Sequence, residues 1–76
     1  MNNYVSQEKA REIADAIQVY FEAGSLYSRS SVYDIAEYVR EELVERSLPT
    51  KRSLVFMIAN IAKAMFHGTI QITKGK

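Results

Sequence analysis

The chain has 76 residues, with ten Lys/Arg, nine Asp/Glu, one histidine and no cysteine. One small domain is all this length supports, burying only roughly 60% of its unfolded surface. The composition excludes a disulfide, a thiolate metal site and a cysteine nucleophile, and the lone His67 has near it in sequence none of the carboxylates that a zinc site would need.

The near-neutral total hides a dipole along the chain. All nine acids precede Arg46, while Arg46, Lys51, Arg52, Lys63, Lys74 and Lys76 follow with no acid among them. Such a basic half points to a nucleic acid or another anion as partner. The start Met1–Glu8 has neither the basic nor the apolar region of a signal peptide. No apolar run approaches the ~20 residues of a membrane span. The expectation is therefore a cytoplasmic protein that uses no membrane, no cofactor and no small-molecule substrate.

The first predicted helix runs over about 7–23. Ser6 can cap it, Glu8 suits the positive end of its dipole, and Gly24 suits the C′ position. Ala10, Ile13, Ala14, Ile17, Tyr20 and Phe21 share one arc, with Glu8, Glu12, Asp15 and Glu22 opposite. A serine-rich link, Ser25 to Ser30, follows. Ser31-Val32-Tyr33-Asp34 then reads as a capping box that opens a second helix over about 32–45. That helix buries Val32, Ile35, Ala36, Val39 and Leu43, and it carries Asp34, Glu37, Glu41 and Glu45 outside as an acidic stripe.

Pro49 ends the link, because proline disfavours helix at the residue before it. Thr50 is then the expected cap of a third helix over about 51–66, with Leu54, Met57, Ile58, Ile61, Ala62 and Met65 facing inward and Gly68 as its stop. Thr69-Ile70-Gln71-Ile72-Thr73 alternates with period two, which predicts a strand over about 69–73. Its partner is either Leu26–Ser28 or a second chain, since a single strand needs one.

The third helix also carries the most specific chemistry. Arg52, Ser53, Phe56, Asn60 and Lys63 are expected on its outward face. Arginine can bond both acceptors of guanine, asparagine can pair with adenine, and an apolar ring can touch the thymine methyl. Lys51 and Lys63 suit phosphates, which position a protein on DNA. Thr50, Lys51, Arg52 and Ser53 at a helix start also suit an anion. Two alternatives stay open: Glu41, Glu42 or Glu45 pairs with Lys51 and Arg52, or Phe56 packs under the C-terminal strand or in a dimer seam.

The order of capped helix, turn and basic-started helix resembles a helix-turn-helix domain of the winged variety. Ser31–Val39 corresponds to the supporting helix and Thr50–Leu54 to the start of the reading helix. The fold class expected is mainly α, a three-helix domain with a helix-turn-helix-like arrangement and one short C-terminal β-strand, a reduced winged helix. The resemblance implies major-groove docking of the third helix, with Arg52, Ser53 and Phe56 nearest the bases. It also makes Gly68–Lys76 a remnant of the wing, bringing Lys74 and Lys76 to the DNA.

The function expected is duplex DNA binding by a transcriptional regulator or accessory factor, and a homodimer would suit a palindromic site. The alternative is a protein-binding adaptor or inhibitor, using Tyr33, Glu37, Tyr38 and Glu41 on the second helix. An enzyme is not expected: His67 has no partner in a defined role, and no glycine-rich phosphate loop exists among three glycines.

Overall fold

The computed structural model describes residues 5–74, with side chains placed for residues 5–67. Three helices follow in order: α1 (Gln7–Glu22), α2 (Val32–Glu45) and α3 (Arg52–Lys74). α3 packs against both α1 and α2, which touch each other much less. It is the central element of the bundle.

Local chemistry sets the ends of α1 and α2. Ser6 accepts from the Lys9 amide to start α1. At α2 the capping box is complete: the Ser31 hydroxyl accepts from the Asp34 amide, and the Asp34 carboxylate accepts from the Ser31 amide. Both helices end in a Schellman motif. At the end of α1, Gly24 takes φ 89°, and the Ser25 amide reaches the Tyr20 carbonyl at 2.9 Å. At the end of α2, Ser47 takes φ 58°, and the Leu48 amide reaches the Leu43 carbonyl at 2.9 Å.

The core contains Ile13, Ile17, Ile35, Val39, Leu43, Leu54, Val55 and Ile58, all fully buried. Ala10, Ala14, Ala36, Ala59 and Ala62 are buried among them and let the helix backbones approach closely. Phe21 stacks on Phe66 with centroids 4.3 Å apart, tying the end of α1 to α3. Gln18 extends from α1 and donates to the carbonyls of Ala14 and Ala62, so its half-buried amide bridges α1 and α3.

The expected C-terminal strand is overturned. Thr69–Thr73 is helical, because α3 continues through Gly68 to Lys74. Glycine inside a helix costs roughly 1 kcal/mol relative to alanine, which does not suffice to stop one. A helix also satisfies its backbone within the segment, whereas a strand here finds no partner strand among the described residues. Leu26, the first of the three residues of the expected partner, is a buried core residue in the α1–α2 link. The reduced wing therefore gives way to a three-helix domain without a strand among the described residues. The side chain of Lys74, and Lys76 altogether, lie outside them.

A candidate nucleic-acid interface on the α2–α3 side

α3 begins at Arg52, and the Lys51 carbonyl accepts the first helical bond from the Val55 amide at 2.9 Å. Lys51 therefore occupies the N-cap position, and Thr50 stands one residue before the place expected of it. Thr50, Lys51, Arg52 and Ser53 are all exposed.

Packing against two helices rotates the buried arc of α3 away from the one the sequence suggested. Val55 and Ala59 are fully buried, while Met57, expected inside, is 41% exposed. The expected outward set divides accordingly. Arg52, Ser53 and Asn60 remain exposed, and Phe56 and Lys63 turn toward α2. Asn60 donates from its side chain to the Phe56 carbonyl one turn back, at 2.9 Å. Lys63 is half-buried and donates to the Ser30 carbonyl at 2.9 Å. Phe56 packs on the core and meets the Tyr33 ring edge-on, 5.3 Å between centroids.

α2 and α3 run antiparallel along this side: Ser30 meets Lys63, and Tyr33 meets Phe56. Beyond them lies an open groove of about 320 Å³, bounded by Glu37 and Arg40 of α2 and by Thr50, Arg52 and Phe56. The Arg52 guanidinium sits over the Phe56 ring, 5.4 Å from its centroid, a cation–π arrangement that fixes the head of a long side chain. Arg40 is exposed and makes no ion pair within 4.0 Å among the described residues. Sequence reasoning passed over Arg40. The signal was there: it stands seven residues after Tyr33 and four after Ala36, on the flank of α2 that faces α3.

The acidic stripe is real as a surface, with Asp34, Glu37, Glu41 and Glu45 all exposed. Glu42, just beside it, pairs with Arg46 at 3.0 Å. Arg46 also approaches Glu12 at 3.8 Å, and Glu12 pairs with Lys9 at 2.9 Å. The hydrogen bond and charge of Lys9, joined by the charge of Arg46, hold the Glu12 carboxyl below its ordinary range.

Of the residues expected to bind a protein partner, Tyr33 is 68% exposed, and Glu37 and Glu41 are exposed. Tyr38 is half-buried, its ring tilted at 42° against that of Tyr20 with centroids 4.5 Å apart. Burial, joined by the charges of Glu42, Glu45 and Glu41, pushes the Tyr20 phenol above its usual value.

His67 is exposed, beside the Phe66 ring. Among the described residues no three His, Asp or Glu side chains converge as metal ligands, and no helix is long and apolar enough to cross a membrane. Comparison with protein-family models, curated proteins and solved structures gives no match.

Proposed function

We propose that this protein binds duplex DNA, with the start of α3 as the contact surface, in the manner of a transcriptional regulator or accessory factor. The observation that carries this reading is the concentration of exposed Lys51, Arg52 and Ser53 at the start of α3, with exposed Arg40 bordering the same groove as Arg52. Cations at a helix start lie against the positive end of the dipole, at about 0.3–1 kcal/mol each when exposed. A phosphate docked there offsets that cost.

The contact set differs from the one the sequence suggested. Arg52, Ser53 and Asn60 are accessible to a groove, and Lys51 and Arg40 to the backbone. Lys63 serves the fold through Ser30, and Phe56 serves it through Tyr33 and Arg52.

Fluorescence anisotropy of a labelled duplex at about 50 and 200 mM salt tests the proposal. Binding that weakens steeply with salt supports it. A folded protein that leaves the duplex free at the lower salt removes it.

A second reading rests on the face of α2, where Tyr33 is 68% and Val44 61% exposed beside the exposed carboxylates of Glu37, Glu41 and Glu45. Tyrosine flanked by charge suits a basic protein partner.

A further inference from the structure

We infer that Arg40 of α2 and Arg52 of α3 form a two-guanidinium clamp for a single backbone phosphate of duplex DNA, and that Phe56 and Tyr33 are its positioning residues. This inference rests on the DNA-binding reading and assigns a role within it.

Arg40 and Arg52 come from different helices, yet they border the same open groove. Planar guanidinium groups match phosphate oxygens with paired donors, which a point charge cannot do. Arg52 is held ready for this. Its guanidinium lies 5.4 Å from the Phe56 centroid, and the Phe56 ring is braced edge-on by Tyr33 at 5.3 Å. Stacking on a ring face occupies none of the guanidinium N–H donors, which point outward from its edge. The ordering cost of a long, rotamer-rich side chain is thus partly met before a ligand arrives. Thr50 lines the same groove.

Glu37 also borders the groove. It is the one acid there against two guanidinium groups, so the groove retains a positive balance. A phosphate entering it meets repulsion from Glu37. The consequence is specific: removing the Glu37 charge must tighten DNA binding. An acidic surface built for a protein partner gives the opposite sign for binding of that partner.

The experiment compares wild type with Arg40→Ala, Arg52→Ala, the double variant, Phe56→Leu and Glu37→Gln. Anisotropy of a labelled duplex is read between about 50 and 200 mM salt, and circular dichroism confirms that each variant is folded. Each arginine variant is expected to bind about tenfold more weakly at the lower salt, the scale of a charge-assisted contact. The double variant is expected to lower the slope of log K against log salt by about 0.9, the value for one phosphate, and not by twice that. Phe56→Leu is expected to weaken binding while the slope stays near that of wild type, since no charge is lost. Glu37→Gln is expected to tighten binding about two- to fivefold, the scale of one exposed charge contact.

Wild-type binding that is indifferent to Arg40→Ala, or weakened by Glu37→Gln, overturns the clamp and leaves the DNA reading standing. A double variant that loses the slope of two phosphates assigns the arginines to separate contacts and also overturns it. Failure of the wild type to bind at the lower salt overturns the reading and the clamp together.

Discussion

The Lys63 ammonium donates to the Ser30 carbonyl at 2.9 Å, across 33 positions of chain. This bond ties the middle of α3 to the residue before the α2 cap. Ser30 is buried, and its hydroxyl accepts from the Tyr27 amide at 2.8 Å. The α1–α2 link is thereby folded onto α3, with Leu26 inserted in the core. A lysine that reads as a phosphate contact in the sequence is a structural cross-link in the fold.

Replacing Lys63 with methionine keeps the apolar stem and leaves the Ser30 carbonyl without this donor. A loss of about 1–3 kcal/mol in unfolding free energy is expected, measured by urea denaturation. The salt slope of duplex binding is expected to stay at the wild-type value, because Lys63 is already committed. A lower slope would return Lys63 to the DNA surface.

Gly68 tests the correction at the C-terminus. In a continuous helix, Gly68→Ala gains about 0.5–1 kcal/mol of stability, since alanine loses less backbone freedom. Circular dichroism should show undiminished or greater helical signal and a higher Tm. Reduced helicity would favour the break that glycine first suggested.

Ser47 sits at φ 58°, the left-handed region that glycine enters without strain. The equivalent position after α1 is Gly24, at φ 89°. Ser47→Gly therefore removes a penalty of about 1 kcal/mol, partly offset by the greater freedom of glycine in the unfolded chain. A net increase in urea midpoint is expected. The side chain of Ser47 is exposed, so little packing is at stake.

Glu12 predicts how stability responds to acid. Its pKa is lowered in the folded protein, chiefly by the hydrogen bond from Lys9 and then by the lysine charge. A depressed carboxylate contributes stability above its unfolded pKa and loses that contribution as pH falls through its folded value. The Tm advantage of wild type over Glu12→Gln should be present at pH 7 and vanish below the ordinary carboxylate range. A difference that grows in acid contradicts the pairing.

Much of α1 and α2 was legible because their signals are local. Ser6, Gly24, Ser31 and Asp34 each act on backbone groups within a few residues, and every one stands where the pattern placed it. The buried sets of both helices also follow from periodicity, except that Tyr20 in α1 and Val32 in α2 are only half-buried.

α3 was harder for a physical reason. It is apolar around more than half its circumference, so periodicity alone does not say where the buried arc is centred. Two neighbouring helices decide that, and they draw in Val55 and Ala59 while releasing Met57. The same rotation turns Phe56 and Lys63 from an expected groove face toward α2. Arg40 was passed over for the complementary reason: its spacing from Tyr33 and Ala36 marks its flank of α2, but only the packing of α2 on α3 brings it to the groove with Arg52. The strand failed because Ile70 and Ile72 report an alternation, while pairing depends on a partner strand that no described segment supplies.

The most direct test of the DNA reading is a map of its surface. Backbone amide chemical shifts of isotope-labelled protein should be followed by NMR during titration with a short duplex at about 50 mM salt. The account expects the largest salt-reversible changes at Lys51, Arg52, Ser53 and Asn60, with Arg40 moving alongside. Changes centred on Glu41, Val44 and Glu45, or none at all in a folded protein, would contradict it.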